Sequence, residues 1–167
     1  MNEMILRECK DEKILEYANN IEIASHNLLS IISDVLDFTK IESGNMEIVD
    51  KKYKLGELLN DVAMMIELKA KQKALRFKIS VDEELPSVLR GDDVRIKQIL
   101  INLLNNAVKY TKVGGVKLNV GGKVNTNKTE VELFYTIEET GIGIHEEYIS
   151  RLFKEFQRLD LETNRNI

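Results

Sequence analysis

"DDVRIKQILINLLNNAVKYT", residues 92–111, is the stretch on which the fold turns. Asp92 or Asp93 stands as an N-cap, and the residues after it repeat as one amphipathic helix. Asn102, Asn105, Asn106, Lys109 and Thr111 interrupt its apolar pattern. Asparagine is a poor mid-helix residue because its amide competes for backbone groups. Asn102, Asn106 and Lys109 stand four and three apart and so share a face. An amide oxygen can ligate Mg²⁺, and an ammonium can meet a phosphate as a point charge. A solvated polar face with no task accounts for the same residues.

Downstream, "GGVKLNVGG" (114–122) and "EVELFYTIEE" (130–139) read as two strands around a Gly/Asn-rich hairpin. The second strand runs into "TGIGI", with Glu139 just before the turn. Alone, Gly141 and Gly143 suit an ordinary strand-end turn, and neither common glycine-rich phosphate motif is present. "HEEYISRLFKEF", 145–156, reads as a short helix. Upstream, "EELPSVLRG" (83–91) reads as a loop, "RFKISVD" (76–82) as a strand, 54–75 as a helix and 45–53 as a short strand or extended segment.

Residues 13–42 hold neither Gly nor Pro. Ile14, Tyr17, Ile21, Ala24, Leu28, Ile31, Val35 and Phe38 alternate at spacings of three and four, a heptad seam. Ala18, Leu29, Ile32 and Leu36 widen it into the stripe of a bundle helix. The helix should stop near Gly44, which can adopt positive φ. "MNEMILRE" reads as the end of a preceding helix. The element order predicts an α+β fold, a two-layer α/β sandwich on a small sheet, behind a long bundle-type helix.

Composition bounds the partners. A net charge of −4 gives no general pull toward nucleic acid or an anionic membrane surface. No apolar run reaches the roughly 18 residues that span a bilayer, so no membrane contact by this segment is expected. Cys9 is the only cysteine, which excludes an internal disulfide and fits a reducing, cytoplasmic setting. His26 lies off the heptad seam, and His145 simply follows the glycine turn.

Read together, the pieces resemble the sensor histidine kinases. "NLLNNAVKYT" is similar to that family's N box, "EETGIGI" to its first glycine box and "LFKEFQRLD" to its F box. "LLSIISDVLDFTKIESGNMEI" is similar to the second dimerisation helix and the linker after it. The resemblance covers almost the whole chain, with the motifs in family order. It implies a Bergerat-type ATP-binding fold with ATP and Mg²⁺ as cofactors. By position Asn106 would ligate Mg²⁺, Asn102 would line the phosphate region, Lys109 would reach phosphate and Tyr110 would lie near the nucleotide. Gly141 and Gly143 would let backbone pass close to adenine. Glu139 takes the place of the aspartate that accepts a hydrogen bond from the adenine amino group.

The resemblance further implies a partial dimerisation region over 1–44 and a catalytic domain over 45–167. Neither the phosphoacceptor His-Glu-(Ile/Leu)-Arg-Thr-Pro string nor a second glycine box occurs here, so the resemblance implies a fragment cut at both ends and inactive alone. In the intact parent, phosphate would pass from ATP to a histidine and on to a response regulator receiver domain. A homodimer through the 14–38 helix is expected, because its stripe lacks a partner helix in cis. A non-kinase ATPase of the same fold and a nucleotide-free dimerisation module are the alternatives.

Overall fold

The computed structural model describes residues 2–143 other than 128. The expected helix at 145–156, with His145, Leu152 and Phe156, lies outside the described residues. The chain divides into two compact units, 1–48 and 49–167.

The first unit is helical. α1 (Asn2–Glu8) is followed by α2 (Glu12–Glu42). Asp11 caps α2: its side chain accepts from the backbone N–H of Lys13 (2.9 Å) and of Ile14 (3.2 Å). α2 ends as its sequence predicts. Gly44 adopts φ +70°, its N–H donates to Ile41 O, and the Asn45 N–H donates to Lys40 O. That pair of reversed bonds closes a helix with a left-handed residue. Asn2 Nδ2 donates to the Ala18 carbonyl at 2.9 Å, and Ala18 is buried. The rest of the stripe stays open within this unit. Tyr17 is 63% exposed, and Leu28 and Ile31 are each 59% exposed.

The second unit is a two-layer α/β arrangement. β1 (Lys51–Lys54) leads into α3 (Leu55–Gln72), β2 (Arg76–Val81), β3 (Val88–Gly91), α4 (Asp93–Tyr110), β4 (Gly115–Val124) and β5 (Val131–Glu139). β2, β4 and β5 form one sheet in that order, β2 parallel to β4 and β4 antiparallel to β5. Along β4, Val116, Leu118 and Val120 are buried, as the two-residue period of a strand requires. They meet Val62 and Ile66 of α3 and Leu100, Leu104 and Val108 of α4 in one core. Fully burying side chains such as Ile66, Leu104 or Leu118 contributes roughly 1.5–3 kcal/mol each.

β3 corrects the reading of 83–91 as a loop. Val88–Gly91 pairs antiparallel with β1 in a two-stranded ribbon, Lys51 opposite Gly91 and Lys54 opposite Val88. Only Leu89 of the four is buried, so no alternation is visible in so short a stretch. The ribbon joins the starts of α3 and α4. Asp92 caps α4 by accepting from Arg95 N–H at 3.0 Å, and its other oxygen accepts from Val49 N–H at 3.0 Å. These bonds hold the Asp92 carboxyl below its ordinary pKa. Its stabilising contribution is therefore present at neutral pH and is lost as pH falls through that lowered value.

α3 and α4 run side by side in parallel. The Lys97 ammonium bonds Asp61, Lys69 Nζ donates to Asn105 Oδ1 at 2.8 Å, and Lys73 Nζ donates to Lys109 O at 2.8 Å, each spanning 36 positions. A constant offset along both helices requires the same direction. α3 stops three residues before the expected 75 because Ala74 adopts φ +55°. Leu75 N–H then reaches Ala70 O at 2.9 Å and Ala74 N–H reaches Lys71 O at 3.0 Å. A left-handed non-glycine residue carries roughly 1–2 kcal/mol of strain. Ala74→Gly should remove it and, after the added freedom of the unfolded chain, stabilise the domain by about 0.5–1 kcal/mol. Urea unfolding checks this, and a lowered midpoint would contradict it.

Candidate nucleotide-binding site

The last turns of α4 carry Asn102, Asn106, Lys109 and Tyr110. Asn102, Asn106 and Lys109 are exposed, and Tyr110 is half-buried. Lys109 Nζ lies 5.1 Å from the centroid of the Tyr110 ring, within cation–π range. The two other polar residues of the stretch behave differently. Asn105 accepts from Lys69 of α3, and Thr111 is fully buried, its hydroxyl donating to Ala107 O at 2.7 Å. The polar edge therefore separates into an outward set of Asn102, Asn106 and Lys109 and an inward pair that fastens the helix.

An α-helix leaves its last four carbonyls without helical partners. Here each has a defined neighbour. Ala107 O accepts from both the N–H and the hydroxyl of Thr111. Val108 O and Lys109 O accept from Lys73 Nζ at 2.9 and 2.8 Å. Against Tyr110 O sits Gly141, close enough that a Cβ built on the glycine would stand 2.8 Å from that oxygen. The same Cβ would be 3.1 Å from Thr111 Oγ1 and 3.1 Å from Glu139 Oε1. The glycine turn after β5 is thus seated on the end of α4, one helical turn beyond Asn106.

The two turn glycines differ in purpose. Gly141 is required for space. Gly143 has open space around it but adopts φ +66°, so it is required for conformation. Glu139 ends β5 opposite Val116. Its carboxyl lies against Gly141, with the Gly143 N–H near enough to influence its charge. Although much of Glu139 is exposed, its carboxyl is partly withdrawn from water, which pushes its pKa up, and the Gly143 N–H draws it partly back. A raised folded-state pKa favours folding at low pH, and that contribution is lost as pH rises through the raised value.

Thr140 fastens the turn from the other side. Its hydroxyl accepts from Gly115 N–H at 3.0 Å and donates to Val113 O at 2.9 Å. Gly114, at φ +105°, leaves room for it: a Cβ there would fall 2.1 Å from Thr140 Oγ1. Lys73, Gly114 and Thr140 escaped the sequence reading. The Gly-Gly pair at 114–115 is the one visible signal, and in sequence it reads only as the start of a strand.

This arrangement joins an amide and ammonium helix face to a tight glycine turn, and comparison with known proteins gives it a family. Residues 91–166 match the family model described as histidine kinase-, DNA gyrase B-, and HSP90-like ATPase. The sensory/regulatory protein RpfC of Xanthomonas campestris pv. campestris is 32% identical over 165 residues, 99% of this chain and 23% of that protein. The signal transduction histidine-protein kinase BarA of Escherichia coli K12 is 35% identical over 150 residues, 90% of this chain and 16% of that protein.

Residues 91–166 form a domain of the histidine kinase-, DNA gyrase B-, and HSP90-like ATPase family.

Solved histidine kinases carry the same fold. Full-length ShkA in complex with AMPPNP aligns with a TM-score of 0.76 at 26% identity, covering 96% of this chain and 33% of that one. ThkA in complex with the response regulator protein TrrA aligns at 0.56 and 26% identity, over 97% of this chain and 46% of that one. The chain thus spans less than a quarter of each of these two curated relatives and less than half of each solved chain. Among its described residues, no helix is long and apolar enough to cross a membrane.

Proposed function

We propose that this chain is the ATP-binding catalytic portion of a sensor histidine kinase. In the whole protein it would serve phosphoryl transfer to a histidine and onward to a response regulator receiver domain. The observation that carries the reading is the seating of Gly141 on the Tyr110 carbonyl. It puts the glycine turn beside the helix that bears Asn102, Asn106 and Lys109, the chemistry a polyphosphate needs. The close approach leaves no room for a side chain between turn and helix, which fits a wall shaped for a flat base.

Bound Mg-ATP supplies the phosphoryl group. Asn106 would hold Mg²⁺ through its amide oxygen, Asn102 would line the phosphate region and Lys109 would neutralise phosphate charge. Tyr110, Gly141 and Gly143 would border the nucleotide, and Glu139 would accept from the adenine amino group. The work assigned to these groups is positioning and charge neutralisation. Residues 1–44 would act as a dimerisation region, with two copies burying the α2 stripe against each other in a cytoplasmic homodimer.

Titration with Mg-ATP tests the reading directly: saturable binding supports it, and none sinks it. Glu139 adds a second check. Its extra methylene, relative to the family's aspartate, lets the carboxylate fold back against Gly141 and away from a base. A charge-assisted hydrogen bond contributes roughly 1.5–3 kcal/mol, about ten- to a hundredfold in affinity. Glu139→Asp should therefore tighten nucleotide binding by about tenfold. An unchanged affinity would remove Glu139 from the site.

A further inference from the structure

We propose that Lys73 is a positioning residue for the nucleotide wall, clamping the C-terminal end of α4 so that the glycine turn keeps its seat. Lys73 lies at the C-cap of α3, and its backbone N–H donates to Ala70 O at 3.1 Å. The left-handed Ala74 follows at once and fixes the direction in which the chain leaves the helix. From that anchored base the side chain crosses to the neighbouring helix. Its one ammonium bridges two successive carbonyls, Val108 O and Lys109 O. The next carbonyl along, Tyr110 O, is the surface on which Gly141 rests. No slack separates the clamp from the seat.

Two physical effects follow. The clamp satisfies carbonyls that would otherwise turn to water and let the last turn fray. Fraying would displace Tyr110 O, the backbone surface against which Gly141 is packed. The ammonium also offsets the negative end of the helix dipole, equivalent to roughly half an elementary charge. Uncompensated, that charge would oppose any polyphosphate drawn to Lys109 on the same turn. Lys73 therefore favours an anionic ligand without touching it. This second effect rests on the nucleotide reading above, whereas the first does not.

The experiment uses the full chain as wild type, Lys73→Met and Lys73→Arg. Amide hydrogen exchange is followed by mass spectrometry, with Mg-ATP and adenosine titrated in parallel. Lys73→Met should speed exchange about tenfold at 108–112 and 139–143, leave β1 and β3 little changed, and be largely reversed by Lys73→Arg. Mg-ATP affinity should fall about tenfold and adenosine affinity clearly less. Exchange that is unchanged at the clamp, or faster by the same factor throughout the unit, overturns the proposal. Equal losses for Mg-ATP and adenosine overturn its electrostatic part. A wild type that binds neither ligand sinks the nucleotide reading, and the exchange measurement then decides alone whether Lys73 holds the seat.

Discussion

Gly141→Ala is expected to lower nucleotide affinity about a hundredfold and to destabilise the domain by about 1–3 kcal/mol. The added Cβ meets Tyr110 O at 2.8 Å, a backbone atom at the end of a hydrogen-bonded helix. It also meets Thr111 Oγ1 at 3.1 Å, and that hydroxyl is held by Ala107 O. Neither neighbour can turn aside as a flexible side chain would, so the turn itself must lift from α4. Gly143→Ala, in the same turn, is the comparison for stability alone. It meets open space and loses only the freedom of a left-handed φ, about 1 kcal/mol. Calorimetric titration beside urea unfolding separates the two variants. A Gly141→Ala protein that binds Mg-ATP like wild type would show that the seat has no bearing on nucleotide.

Asn106→Ala should weaken Mg-ATP binding about ten- to a hundredfold, since it removes one Mg²⁺ ligand, a loss comparable to that of a hydrogen bond to a charged group. Stability should barely change, because Asn106 is exposed and Ala is the better helix former. Asn105→Ala should behave in the opposite way. It removes the bond from Lys69 on α3 and so loosens the helix pair slightly, leaving nucleotide affinity intact. If Asn105→Ala impaired binding and Asn106→Ala did not, the outward set of polar residues would be wrongly assigned.

Much of this molecule is legible along the chain. The helix at 92–111 and the strands flanking the hairpin appear in the structure within a few residues of the sequence reading, and of the two candidate caps, Asp92 and Asp93, it is Asp92 that caps. So does the end of α2 at Gly44. The F box segment lies outside the described residues and remains an expectation. What the pattern hid was short or unusual. β3 has one buried residue and no period to detect. The αL stop at Ala74 uses a residue that rarely adopts it, so nothing in "KQKAL" announces the end of α3.

The outward face of Asn102, Asn106 and Lys109 follows from the primary sequence, because helix geometry is local and spacing alone sets which residues share a side. The Gly-Ile-Gly spacing of 141–143, too, announces a tight turn after the strand. Which glycine is needed for space and which for conformation was decided only in three dimensions, since the answer depends on Tyr110 O arriving from a different element. The same holds for Lys73 and Thr140, whose bonds reach 35, 36 and 25–27 positions along the chain. Such contacts have no period, and a lysine that caps another helix's carbonyls looks in sequence like any solvated charge.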